Sequence, residues 1–90
     1  MPFAAVTNVK LEGRDPVEGR KFLSEVLIPW LKTLPGFQTA RFLRTQDGTT
    51  GVGAVIFDTE SNARAALDAD RPAGGPPIES TAIYEVVLEV

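Results

Sequence analysis

The sequence contains no cysteine and no histidine, and these two absences exclude several kinds of chemistry. Without cysteine, the chain can form neither a disulfide nor a thiolate nucleophile. Without either residue, it has no zinc site of the usual kind, no haem iron held by an axial His or Cys, and no imidazole to transfer protons. No pair of carboxylates has the spacing typical of a cation site. We therefore expect no metal site and no cofactor.

Long apolar runs and one-sided charge are absent as well. The longest apolar run, residues 26–31, contains a proline and is far shorter than the roughly 20 residues of a membrane span. Nine basic and twelve acidic residues give a formal net charge of -3, and the basic residues are scattered among the acids. This distribution offers no surface for a polyanion. We expect a soluble, cytoplasmic protein that binds neither nucleic acid nor membrane.

The length and composition predict a single globular domain over residues 1–90. Hydrophobic residues make up 43% of the chain and charged residues 23%, which are the proportions of an average globular protein. The scaling of folded surface with mass predicts that roughly 64% of the surface is buried on folding. The core of such a domain is therefore small.

Hydrophobic spacing predicts the element order βαββαβ. Strands are expected over residues 3–11, 37–44, 51–57 and 78–90, and helices over residues 15–33 and from 58 or 59 to about 70. The first helix begins with Asp15 as cap and Pro16 at the first helical position. Pro29 removes one of its backbone hydrogen bonds, so we expect a bend or break near Glu25. Asp47-Gly48 predicts a two-residue hairpin between the second and third strands.

This order is typical of the α+β class and predicts a ferredoxin-like sandwich, a four-stranded antiparallel sheet with two helices on one face. The predicted hairpin register places apolar side chains on both sheet faces, although two helices can cover only one. An uncovered apolar face of this size is an interaction surface. We expect a homodimer in which two sheets pack face to face, and the alternative is a monomer with a partly apolar sheet. The residues expected on the dimer face are Arg41, Leu43, Val52, Ala54 and Ile56. Arg41 there would pair with an acid of the second chain or, alternatively, with a carboxylate ligand.

Four residues are candidates for lining a pocket between the sheet and the helices: Asn8, Trp30, Phe42 and Phe57. Trp30 lies on the apolar stripe of the first helix, and Phe42 and Phe57 lie on the strand face opposite the dimer face. We interpret Asn8 as facing the helices, where its amide needs a hydrogen-bond partner from the backbone or from a ligand. The Gly- and Pro-rich loop of residues 71–77 is expected to cover this pocket.

The RNA-recognition motif has the same topology and is an alternative. Its third strand carries aromatic side chains on which bases stack. Val52 and Ala54 occupy those positions in this sequence. Without stacking platforms, RNA binding is not expected.

Several stretches, distributed over nearly the whole chain, follow a known family pattern. They are residues 28–37 (IPWLKTLPGF), Asp47-Gly48, residues 51–58 (GVGAVIFD), residues 63–66 (ARAA) and residues 84–86 (YEV). With them the chain resembles the dimeric α/β-barrel superfamily, which includes the antibiotic-biosynthesis monooxygenases. The resemblance implies a dimeric barrel and one of several activities: cofactor-independent oxygenation of aromatic polyketides, haem degradation or lactone isomerisation.

The resemblance carries over no catalytic residue. Haem-degrading members place an Asn on the first strand, which Asn8 matches, together with a His ligand that this sequence lacks. The Asn, Trp, Tyr and Arg set of the polyketide oxygenases has no match position by position. Two hypotheses remain open. The protein binds or oxidises a small aromatic molecule without a cofactor, as a monooxygenase-like or isomerase-like enzyme, or it is a non-catalytic homodimer that serves in interaction or ligand binding.

Overall fold

A computed structural model describes all 90 residues, Met1–Val90, and its elements follow the predicted order. The four strands are β1 (Phe3–Lys10), β2 (Phe37–Arg44), β3 (Thr50–Phe57) and β4 (Ile78–Glu85). The helical elements are α1 (Pro16–Phe22), a π segment (Leu23–Leu27), α2 (Ile28–Leu31) and α3 (Glu60–Asp68).

The strands form one sheet in the order β2-β3-β1-β4, and every neighbouring pair is antiparallel. The helices pack on one face of this sheet, where strand and helix residues share one core. Its buried members are Ala5, Leu27, Leu31, Val55, Phe57 and Ala63. The predicted ferredoxin-like sandwich is confirmed.

The first helix changes its hydrogen-bond pattern where the sequence predicts a bend or break, and its backbone stays helical through the junctions at Leu23 and Ile28. The Asp15 carboxylate accepts a hydrogen bond of 2.9 Å from the Val17 amide, and Pro16 takes the first helical position. Pro29 has no amide hydrogen to donate four residues back, and just before it the helix widens into the π segment. There the Ile28 amide donates to the Leu23 carbonyl, five residues back.

The hairpin between β2 and β3 has the predicted register but a longer loop. Leu43 lies opposite Val52 and Arg41 opposite Ala54. The Thr45 amide donates to the Thr50 carbonyl at 3.0 Å, which leaves the four residues 46–49 in the loop. The prediction of a two-residue loop was therefore wrong.

Two other predicted boundaries extended too far. The last strand ends at Glu85 and not at residue 90, and the final sheet contact is the 2.9 Å hydrogen bond from the Val86 amide to the Pro2 carbonyl. Because β1 begins at Phe3, the residues after Val86 have no strand beside them. Helix α3 ends at Asp68, shortly before Arg71, and the proline that follows Arg71 disfavours helical backbone there.

The placement of Asn8 on the helix-covered face was wrong. Asn8 lies opposite Val52 of β3, so its side chain is on the side of the sheet away from the helices. Thr7, one residue earlier, is buried on the helix side. We call the side away from the helices the open face; on the three strands β1, β2 and β3 it carries Ala4, Val6, Asn8, Arg41, Leu43, Val52, Ala54 and Ile56.

Candidate functional site

A cavity of about 550 Å³ lies between the helix side of the sheet and the helices. Its floor comes from β1, β2 and β3, its roof from α1 and the π segment, and one wall from residues 71–76. The side chains of Phe22, Leu23 and Leu27 form the apolar part of the roof. A volume of this size is typical of sites for small molecules.

Two glycines of β3, Gly51 and Gly53, line this cavity. The helix-side positions of β3 are Gly51, Gly53, Val55 and Phe57, in that order along the strand. Val55 and Phe57 fill the core at one end. At the other end, the glycines let the side chains of Val9, Leu11 and Phe42 lie close against the strand backbone. A Cβ atom built on Gly53 would lie 3.2 Å from the ring of Phe42, so even one methyl group would crowd the floor.

Three of the four predicted pocket residues come together beneath the helices. Trp30, Phe42 and Phe57 line a second, smaller cavity of about 40 Å³, which holds little more than a water molecule. Phe57 is fully buried and packs edge-to-face on Phe37, with ring centroids 6.3 Å apart, so it belongs to the core. Phe42 lines both cavities and therefore joins the core to the larger one.

Asn8, the fourth predicted residue, does not reach either cavity, and Thr7 does. Thr7 is 8% exposed and is the buried polar residue of the chain. Its hydroxyl makes no hydrogen bond to another residue. Thr7 was not predicted from the sequence, because strand parity groups it with Ala5 without showing which group meets the helices. The structure has no buried side-chain oxygen or nitrogen without a partner, so the Thr7 hydroxyl oxygen is accessible at the cavity wall and available to a ligand.

Charge on the cavity lining differs in sign from that of the whole chain. Four of the nine basic residues line the cavity, namely Arg14, Arg20, Arg44 and Arg71, against a single acid, Asp15. The Asp15 carboxylate already caps α1. In a protein of formal net charge -3, the lining is therefore locally positive.

Arg71 is the arginine most closely associated with the cavities, since it lines both. Part of its side chain is exposed, yet desolvation by the surrounding atoms lowers the pKa of its guanidinium. It makes no hydrogen bond to the protein, and the ion pair in this structure joins Arg64 to Glu60 at 2.8 Å, away from the site. An arginine stays charged at neutral pH, so Arg71 presents an unpaired cation to the cavity.

The predicted covering loop is a wall of the cavity. It is held by two hydrogen bonds: the Lys10 amide donates to the Pro77 carbonyl at 2.9 Å, and the Arg14 guanidinium donates to the Gly74 carbonyl at 3.2 Å. Gly75 lies against the Phe22 ring, where an added Cβ would come within 3.1 Å. This close packing on the roof depends on the absence of a side chain.

The predicted dimer-face residues share the open face. Arg41, Leu43, Val52, Ala54 and Ile56 alternate with the helix-side residues of β2 and β3. Leu43 is 56% exposed in the single chain. The Arg41 guanidinium donates to the Ala40 carbonyl at 3.3 Å and has no acid beside it. An apolar sheet surface with this exposure favours contact with another molecule.

Comparison with known proteins relates this chain to one fold. No protein-family model matches the sequence, and no curated protein matches it as a relative. Solved structures do match: the haem degrader MhuD of Mycobacterium tuberculosis, solved with two haems in its active site, superimposes with a TM-score of 0.69 at 17% identity, covering 100% of this chain and 99% of that one. The chain has the fold of the dimeric α/β-barrel superfamily.

Two further structures share this fold along their length. The monooxygenase ActVA-Orf6 of Streptomyces coelicolor, solved with Nanaomycin D, gives a TM-score of 0.62 at 19% identity, covering 98% of this chain and 89% of that one. Rv0793 of M. tuberculosis gives 0.62 at 13% identity, covering 99% and 98%. The resemblance to the antibiotic-biosynthesis monooxygenases is thus confirmed for the fold.

The residues of the cavity do not fit a haem whose iron is held by the protein. The lining contains no His, Cys, Met or Tyr, the usual axial ligands. Asn8, the match to the first-strand Asn of haem degraders, lies on the open face.

None of the helices has the length and apolar character needed to cross a membrane.

Proposed function

We propose that this protein binds a small planar aromatic molecule in the cavity of about 550 Å³ and promotes its oxygenation by O₂ without a cofactor. The observation that carries the proposal is this cavity, which Gly51 and Gly53 line and which apolar side chains roof. Two proteins of the same fold support it, one solved with haem and one, a monooxygenase, with Nanaomycin D.

In this proposal the substrate supplies the electrons, because the chain carries no redox group of its own. An anthrone, for example, loses a C–H proton to solvent, and the resulting carbanion transfers electrons to O₂ as a C–O bond forms. The peroxide anion that results takes up a proton and becomes the hydroperoxide. The remaining C–H bond at the same carbon then breaks as the carbonyl forms and the O–O bond is cleaved, and the proton and the departing hydroxide leave as water. Anthrone and O₂ thus give anthraquinone and water, with carbon oxidised and O₂ reduced.

The side chains of the cavity bind and orient the substrate in this scheme. The Phe42 ring and the Gly53 backbone offer a flat surface for an aromatic ring. The Thr7 hydroxyl donates a hydrogen bond to a ring oxygen, and the roof formed by Phe22 excludes water. These groups favour a reactive geometry and leave the chemistry to the substrate.

Binding is tested by titrating anthraquinone-2-carboxamide while following the fluorescence of Trp30, the single tryptophan, with calorimetry as a second readout. We expect saturable quenching at one site per chain. Gly53→Val fills the floor and should abolish it. Ala54→Val introduces the same side chain on the open face of the same strand and should leave binding intact. If both variants bind the ligand as the unaltered protein does, the proposed site is wrong.

Turnover is tested with anthrone in an oxygen electrode. We expect O₂ uptake above the uncatalysed rate, equimolar formation of anthraquinone, and loss of both in Gly53→Val. Binding without any acceleration would favour the second hypothesis, a non-catalytic ligand-binding protein, which the lack of a free acid or base on the lining supports.

We further propose that two copies associate through the open face. On the open face, the helices leave the apolar side chains of β2 and β3 uncovered, and the side chains of the two strands point to the same side of the sheet. Face-to-face packing of two such sheets buries the apolar surface and leaves each cavity on the outer, helix-covered side of its own chain.

A further inference from the structure

The arginines of the cavity differ in how they are engaged. Arg14 donates to the Gly74 carbonyl and so holds the loop. Arg41 and Arg64, outside the cavity, are bonded to protein acceptors, Arg64 to the Glu60 carboxylate at 2.8 Å. The guanidinium groups of Arg20, Arg44 and Arg71 have no such acceptor, and of these three only Arg71 borders both cavities.

Three features of the environment bear on the guanidinium of Arg71. The residues that line the smaller cavity with Arg71 are largely apolar and include Trp30 and Phe42. These residues displace water from the guanidinium and offer few hydrogen-bond acceptors in its place. Desolvation is the cause that lowers the pKa of its guanidinium. The single acid on the larger lining, Asp15, is engaged at the start of α1. Such a cation gains most from a partner anion that a ligand brings.

The cavity therefore combines two kinds of surface. Its floor and roof are apolar around Gly53 and Phe22, which suits a ring system. Its lining also includes Arg20 and Arg71, whose guanidinium groups carry positive charge and have no partner in the protein. A planar ring with one anionic substituent matches both surfaces at once, since guanidinium binds carboxylate through two parallel hydrogen bonds.

We propose that the ligand of this cavity is an aromatic molecule bearing an anionic group, a carboxylate or a group of similar charge, and that Arg71 is its counter-ion. This inference rests on the proposed function, because it specifies the ligand class of the same cavity. Arg71 is a specificity-determining residue in this proposal, and it is not required for the binding of the ring itself.

Three probes with one ring system test the inference: anthraquinone-2-carboxylate, anthraquinone-2-sulfonate and neutral anthraquinone-2-carboxamide. At neutral pH and low salt we expect the two anions to bind about tenfold more tightly than the carboxamide, the factor expected of a charge-assisted hydrogen bond. Tighter binding of the carboxylate alone would identify the anion as a planar carboxylate. Calorimetry and Trp30 quenching both measure this ratio.

Matched variants assign the preference to Arg71. Arg71→Gln should lower the affinity for the two anions about tenfold more than that for the carboxamide, which brings the anion-to-amide ratio to about one. Arg71→Lys should keep part of the preference, because ammonium retains the charge without the fork geometry. Arg64→Gln, which removes an arginine of the helix surface, should keep all of it.

The outcomes separate this inference from the proposed function. Equal affinity for all three probes in the unaltered protein would overturn the anionic ligand and leave the aromatic site standing. A preference that persists in Arg71→Gln would overturn the role of Arg71. Failure of all three probes to bind would overturn the proposed function itself.

Discussion

Thr7 of β1 lies directly opposite Gly53 of β3, and this pair is the point where the packed core gives way to the cavity. One strand further, Phe42 lies opposite the same glycine. The glycine thus separates a hydroxyl from an aromatic ring by a stretch of bare backbone. The arrangement provides a flat floor with one polar group beside it, and the chemistry proposed for the site depends on it.

Replacing Thr7 by Val removes the hydroxyl and keeps the shape of the side chain. We expect the affinity for anthraquinone-2-carboxylate to fall by about fivefold, the contribution of one neutral hydrogen bond. The melting temperature should not fall, because the hydroxyl has no partner in the protein. Thr81→Val, opposite Thr7 on β4 but outside the cavity, is the control. Equal affinity in Thr7→Val and in the unaltered protein would rule out the hydrogen bond.

Replacing Phe57 by Ala should destabilise the protein more than any surface change. Phe57 is fully buried and packs against Phe37. Removing such a ring costs about 3 to 5 kcal/mol of unfolding free energy, a large share of what a small domain has. Urea unfolding followed by circular dichroism measures the change. Leu88→Ala, at a residue 80% exposed, should be neutral. A cost below about 1 kcal/mol for Phe57→Ala would contradict the described core.

A charge on the open face should separate the proposed homodimer. Native mass spectrometry of the unaltered protein should give twice the chain mass of 9.7 kDa. Ile56→Glu places a carboxylate in the centre of the open face and should yield the monomer with its circular dichroism spectrum retained. Val17→Glu makes the same kind of change at an exposed apolar residue of α1 and should leave the dimer intact. Dimers in both variants would place the interface elsewhere.

The hairpin loop should lose stability in acid through Asp47. Hydrogen bonds from Thr45 and from Thr49 hold the pKa of the Asp47 carboxyl below its ordinary value of 3.8. A depressed pKa contributes stability that is present above that ordinary value and is lost as the pH falls through the folded-state pKa. Asp47→Asn should therefore lower the melting temperature at neutral pH, and the difference should shrink steadily as the solution is acidified below pH 3.8. A difference that does not change with pH would show that the charge of Asp47 has no part in it.

Much of the fold could be predicted because local signals agree with one another. Three features each follow from a single physical cause close in sequence: the cap at Asp15, the irregular helix before Pro29, and the register on either side of Asp47-Gly48. The element order then leaves few topologies. The loop length and the end of the last strand depend on hydrogen bonds between distant residues, which sequence spacing does not contain.

The side of β1 that meets the helices could not be predicted from the sequence, and the reason here is different. Strand parity groups Thr7 with Ala5 and Asn8 with Val6, and both groups are similarly apolar. Only the pairing of β1 with β3 decides which group meets the helices, and that pairing places Asn8 opposite Val52. For the same reason the lining of the cavity could not be predicted, because the cavity floor depends on which residue of β1 lies opposite Gly53.

Chemical-shift mapping with anthraquinone-2-carboxylate on ¹⁵N-labelled protein tests the central claim most directly, since it locates the ligand as well as detecting it. The account predicts saturable shifts for the amides of Thr7, Gly51, Gly53, Gly74 and Gly75, which surround the cavity from floor to loop. The amides of α3 should not move. Shifts confined to open-face positions, or no saturable shift at any residue, would contradict the assignment of this cavity as the binding site.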